Sequence, residues 1–169
     1  MKGVLETYNS LYGHPLREIF LHSRSRISPE EFDGYLAACP AETKLVGVRV
    51  RSEREGVKLF RSGEFPVLRG TSLQVSENGG YLWTNGFKPR LETYDGFDVP
   101  TPLRLDVEYG KADYQQVAKD ILGLSKLNYN TCRLGGLMPV TVKFSDEVGG
   151  ILVSNPTVER AQEQFRFYI

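Results

Sequence analysis

The sequence predicts a domain of α/β or α+β class, and three observations carry that expectation. Apolar residues recur at helical spacing near the N-terminus, around residues 32–39 and around residues 114–127. Short β-branched runs bounded by turn residues lie between those stretches. In one run, Leu103, Leu105, Val107 and Tyr109 alternate with Arg104, Asp106 and Glu108, the pattern of a strand with one wet face.

Each element follows from local chemistry. Val4, Leu5, Tyr8, Leu11 and Tyr12 share one helix face, and Gly13 followed by Pro15 is a suitable stop. Residues 16–22 (LREIFLH) are short, apolar and bounded, which predicts a buried strand; a basic loop, SRSR, follows. Ser28, Pro29 and Glu31 form a strong helix start: serine caps, proline suits the first helical position and the glutamate completes a capping box. Phe32, Tyr35, Leu36 and Cys39 line one face of that helix, and Pro40 ends it. Residues 44–50 (KLVGVRV) predict a strand, and further β segments are expected at 57–60, 66–68, 72–75 and 81–84, with glycine-containing turns between them. Asp113 with Gln116 resembles a second capping box, and Tyr114, Val117, Ala118, Ile121 and Leu122 carry a helical period onward to Leu127. Residues 139–152 are open: Val140, Thr141 and Val142 favour a strand, whereas Phe144, Val148, Ile151 and Leu152 have helical spacing. The order of elements is not a repeated βαβ barrel.

Composition narrows the function classes. The 169 residues suit one domain, and 40% hydrophobic with 25% charged residues is ordinary for a globular protein, which excludes a disordered, collagen-like or disulfide-rich chain. Lys+Arg and Asp+Glu are both 21, so any nucleic-acid role must come from a local patch. No apolar run approaches the ~18 residues of a membrane span, and MKGVLETYNS lacks the layout of a signal peptide, so no membrane association and a cytoplasmic location are expected. Cys39, Cys132, His14 and His22 make no metal-ligand pattern. GxGxxG, GxxxxGK[ST] and GxSxG strings do not occur, which leaves nucleotide-binding and hydrolase-elbow readings without a motif.

Two regions concentrate positive charge. Residues 44–69 hold Lys44, Arg49, Arg51, Arg54, Lys58, Arg61 and Arg69 against Glu53, Glu55 and Glu64. Residues 119–143 hold Lys119, Lys126, Arg133 and Lys143 against Asp120 alone, with Asn128, Tyr129 and Asn130 among them. Amide and cationic groups around a helix C-terminus and the loop after it suit phosphate oxygens; the alternative is a solvated helix end whose lysine complements the dipole. The carboxylates are scattered along the chain: Glu30, Glu31 and Asp33 suit a first helical turn, and Asp146 and Glu147 suit a surface.

The strings LREIFLHSRSR, KLFRSGEFPVLRGT, LWTNGFKPRLETYDGFDVPTPLR, DILGLSKLNYNTC and MPVTVKFSDEVGGIL, closed by the aromatic terminus FRFYI, occur in a distinctive order and spacing. In these strings, from Leu16 to Ile169, the chain resembles the C-terminal half of the Piwi domain of prokaryotic Argonautes, particularly the short, catalytically inactive ones. The resemblance implies a ribonuclease H-like fold, a mixed sheet flanked by helices. Residues 1–169 would be a single partial Piwi domain without a Mid domain or the first Piwi strands, either a split-gene product or a fragment, and in both cases exposing a sheet edge and apolar surface.

The resemblance also implies a function. In the family, Mid and Piwi domains hold a guide strand whose 5′ phosphate is anchored at their junction, and base pairing with a target supplies sequence specificity, as in other guided systems. Lys126, Asn128, Asn130 and Arg133 match the segment that lies against the first guide phosphates, and Lys143 is grouped with them as guide-binding. The terminal carboxylate of Ile169 is expected at the phosphate pocket, where it and phosphate oxygens suit Mg2+. Slicing members use an acidic tetrad, one aspartate of which follows a strand that ends in histidine; here Arg24 stands at that place after His22, and Asp146 falls near the last tetrad position. Arginine cannot ligate a metal and repels one, so no slicing is expected. The implied role is a sensor that binds a guide, RNA in preference to DNA, and its complementary target. It would work with a polypeptide carrying the Mid domain and N-terminal Piwi half, and signal to an APAZ-containing effector in defence against invading nucleic acid. The alternatives are a residual metal-dependent, guide-directed nuclease in which a partner chain completes Asp146, and a purely structural subunit.

Overall fold

In the computed structural model, residues 1–53, 56–94, 96, 98–127 and 137–154 are described. Two central strands organise them. β2 (Lys44–Ser52) and β5 (Leu103–Tyr109) pair antiparallel, with Val48 opposite Val107 and Val50 opposite Leu105. Period-two alternation puts Val46, Val48, Val50, Leu103, Leu105 and Val107 on one face, where all are buried. β1 (Glu18–Ser23) adds parallel to β2, with His22 opposite Val48. β4 (Gly79–Leu82) adds antiparallel to β5, and β3 (Ser72–Ser76) antiparallel to β4. The sheet order is β1-β2-β5-β4-β3, which leaves β1 and β3 as edges among the described residues.

Helices cover both faces. A parallel β1–β2 pair needs a crossover, and α2 (Pro29–Ala37) supplies it. Its capping box forms as the sequence predicts: the Glu31 N–H donates to Ser28 Oγ at 3.1 Å, and the Ser28 N–H donates to Glu31 Oε2 at 2.8 Å. The β2–β5 register slips between Gly47 and Val48. This irregularity turns Tyr109 toward α2, where its ring stacks on Phe32 at 4.3 Å and its hydroxyl donates to the Ile27 carbonyl at 3.0 Å. On the other face, α3 (Tyr114–Lys126) sets Tyr114, Val117, Ala118 and Ile121 against the strand valines and leucines, and α4 (Val140–Ser154) adds Val142. Gly80 permits the close approach of α3: a Cβ there would stand 2.6 Å from the Tyr114 hydroxyl, which donates to the Tyr81 carbonyl. α1 (Lys2–Tyr12) has the amphipathic stripe the sequence predicts, yet it buries none of its residues; Val4 and Leu11 remain 71% and 73% exposed.

Five local expectations are corrected, and one left open is decided; the first is the buried strand at 16–22, which forms β1 at the outside of the described sheet with no residue buried. Residues 57–60 and 66–68 are not strands: β-prone runs need a neighbour to complete a ladder, and the second run makes only an isolated parallel bridge, Leu68 to Phe87. The strand expected at 81–84 stops at Leu82, where the buried Trp83 indole turns to donate to the Pro100 carbonyl at 3.1 Å. Asp113 caps α3 by accepting the Gln115 and Gln116 N–H groups, but no box closes, because the Gln116 side chain donates to Asp120 instead at 2.9 Å. Residues 139–152 resolve as helix, since burying Val142 against the sheet satisfies both the apolar pattern and the backbone hydrogen bonds.

Two substitutions separate cap from core. Ser28→Ala is expected to lower stability by about 1 kcal/mol. Ile121→Ala, at a fully buried position, should cost about 2–5 kcal/mol through reduced transfer energy and a residual cavity. Urea unfolding with tryptophan fluorescence measures both, and the larger loss must fall on Ile121.

Candidate nucleic-acid interface

Parallel strands present their C-terminal ends to ligands in α/β sheets, and here β1 ends in the residues of interest. Alternation puts Phe20 and His22 on the face that α3 and α4 cover; Phe20 packs on the core, and His22 Nδ1 lies 2.9 Å from Thr141 Oγ1 of α4. Just past the strand, Arg24 Nη1 donates to Asp146 Oδ2 of α4 at 2.8 Å. His22, Arg24 and Asp146 border an open cleft of about 330 Å³, lined also by Arg26, Glu31, Tyr35 and Ser145.

The electrostatics of this corner follow from its pairs. The Glu31 carboxylate is engaged by the helix cap, and that of Asp146 is neutralised by Arg24. A divalent cation at Asp146 would have to displace that guanidinium against its own charge. Among the described residues, no group of three His, Cys, Asp or Glu converges. Burial pushes the His22 imidazole below its ordinary value of 6.5, while the negative charge of Asp120 acts in the opposite direction.

The other expected site residues are distributed as follows. Lys126 is the last residue of α3, exposed, where its charge complements the helix dipole. Lys143 lies in the first turn of α4, its Nζ 4.0 Å from Glu147. Asn128, Asn130, Arg133 and Ile169 lie outside the described residues. The contact between His22 and Thr141 was not expected from sequence. The signal for it was the shared parity of Phe20 and His22 in the LREIFLH run, which aims both side chains at the core face.

No protein-family model matches the sequence, and no curated protein matches it. Among solved structures, the chain is similar to part of the Argonaute of Clostridium butyricum, solved with a guide DNA bearing a 5′ deoxycytidine and a 19-mer target DNA. The TM-score is 0.70 over 98% of this chain, at 19% sequence identity. The fold is Piwi-like. The five-stranded mixed sheet with helices on both faces is the ribonuclease H-like arrangement that the sequence resemblance implied. The likeness is one of fold, and this chain matches 21% of that Argonaute's length. Among the described residues, no helix of this Piwi-like chain is long and apolar enough to cross a membrane.

Two measurements probe the corner. The Arg24 and Asp146 side chains are 57% and 41% exposed, so Arg24→Ala is expected to change unfolding free energy by less than about 1 kcal/mol. For His22 the folded value lies below the unfolded one. Its contribution to stability is thus complete above pH ~6.5 and is lost as pH falls through the folded value. Thermal melts between pH 8 and 5 should show that loss in the native chain and a flatter profile in His22→Gln.

Proposed function

We propose that this chain is the guide- and target-binding C-terminal half of a Piwi domain in a nuclease-inactive Argonaute that acts as a sensor. The observation that carries the reading is the Arg24–Asp146 ion pair on a fold shared with an Argonaute solved with guide and target DNA. The pair sets a guanidinium against the acid where the resemblance expects metal-binding carboxylates, which supports binding without cutting. Lys126, Asn128, Asn130, Arg133 and Lys143 hold the first guide phosphates in this reading, and the Ile169 carboxylate shares a magnesium ion with them. In this reading a Mid domain and the first Piwi strands complete the unit, and target recognition is relayed to an APAZ-containing effector. Among the described residues β1 is paired on one side only, and such an edge can accept a further strand.

The test begins with what co-purifies with the full chain: a second polypeptide and short 5′-phosphorylated strands, RNA rather than DNA. Combined Lys126→Ala, Asn128→Ala and Arg133→Ala substitutions are expected to weaken guide retention. They should also reduce the slope of log affinity against log salt by about 0.7–0.9 for each phosphate no longer neutralised. Unchanged retention in an assembled complex means a structural subunit instead. Guide-directed cleavage with magnesium or manganese means a residual nuclease.

A further inference from the structure

The cleft leaves one charged region without a role. Within residues 57–69 and 86–92, Lys58, Arg61, Arg69, Lys88 and Arg90 are set against Glu64 and Glu92, a positive excess in a chain of zero net charge. The backbone there is irregular but tied down. The Phe87 N–H donates to the Val67 carbonyl at 2.9 Å, the Arg69 N–H to the Phe87 carbonyl at 3.0 Å and the Gly70 N–H to the Trp83 carbonyl at 2.7 Å. Gly86 makes this apposition possible: its φ is +152°, and a Cβ would collide with the Val67 carbonyl oxygen.

Three side chains stack on this frame. Phe87, only 7% exposed, is the floor. Phe65 lies parallel to it, with ring centroids 4.1 Å apart and planes 14° from coplanar, and remains 44% exposed. The Arg61 guanidinium carbon stands 6.0 Å from the Phe87 centroid. Phe60, next in the chain to Arg61, is 74% exposed. Exposed rings alternating with cations suit a ligand that has flat apolar faces and a negative backbone together. Unpaired bases joined by phosphates have both, whereas an apolar protein surface would leave the positive charge unmatched.

We propose that Arg61, Phe65 and Phe87, with the exposed Phe60 next in the chain, form a stacking platform for unpaired bases of a single-stranded nucleic acid. This rests on the nucleic-acid reading above and assigns it a second set of contact residues. Phe65 supplies the ring face for a base, and Arg61 supplies a phosphate contact while holding its own place against Phe87.

The test uses the full chain, with whatever co-purifies, and single strands carrying 2-aminopurine or abasic positions. In the native chain, binding should quench 2-aminopurine, and abasic positions should lower affinity roughly ten-fold. Phe65→Ala should lose the quenching, bind intact strands roughly ten-fold more weakly and become indifferent to abasic positions, with an unchanged salt slope. Arg61→Ala should lower that slope by about one. Phe60→Ala, at a position too exposed to affect folding, should weaken the quenching. Native affinity and quenching in all three variants overturn the platform and leave the guide-phosphate reading standing. Absence of strand binding by the native chain overturns both. Loss of a co-purifying polypeptide in Phe65→Ala, with strand affinity intact, identifies a protein interface and also overturns the platform.

Discussion

The antiparallel pairing of β2 with β5 is the constraint on which the rest of this molecule depends. Both strands direct a continuous row of valine and leucine to one face, and that row can leave water only beneath a helix with a matching stripe. α3 provides it with Tyr114, Val117, Ala118 and Ile121. Once this layer is set, each side of the sheet has its place. β1 extends it in parallel through the α2 crossover, and β4 and β3 extend it as an antiparallel meander. The end of β1 then necessarily lies beside α4, which carries Val142 into the same core.

That placement gives a weak interaction a large chemical consequence. The Arg24–Asp146 pair is substantially exposed, and such pairs contribute about 0–1 kcal/mol to stability. Its effect on ligand choice is of another kind. A carboxylate held by a guanidinium presents little negative charge to a cation, and along the cleft Arg24 and Arg26 balance Asp146 and Glu31. His22, half-buried at the same corner and 2.9 Å from Thr141, has its imidazole pushed toward the neutral form by desolvation.

The two candidate surfaces share a design. Each uses irregular backbone fastened to rigid elements, the arrangement by which loops carry function on a stable scaffold. The cleft is anchored by β1, the α2 capping box and α4; the platform is anchored by hydrogen bonds beyond β4 and by a glycine with no room for a side chain. Neither depends on α1, none of whose residues is buried.

Local chemistry was enough to determine much of this. The capping box at Ser28, the helical stripe of α3, the alternation of β5 and the glycine stop of α1 are interactions within a few residues, so their signals sit in adjacent letters. The ordered strings carried the Piwi-like fold and placed Arg24 and Asp146 as positions of interest. Tertiary structure decided what depends on distant partners. Residues 139–152 could satisfy either period until Val142 had a sheet to pack against. The runs at 57–60 and 66–68 had β-prone residues but no completing neighbour. Arg24 meets Asp146 across 122 positions, and His22 meets Thr141 across 119. Periodicity reports which face a side chain takes, whereas proximity across such separations exists only after the sheet and helices have packed, because packing alone sets the distance.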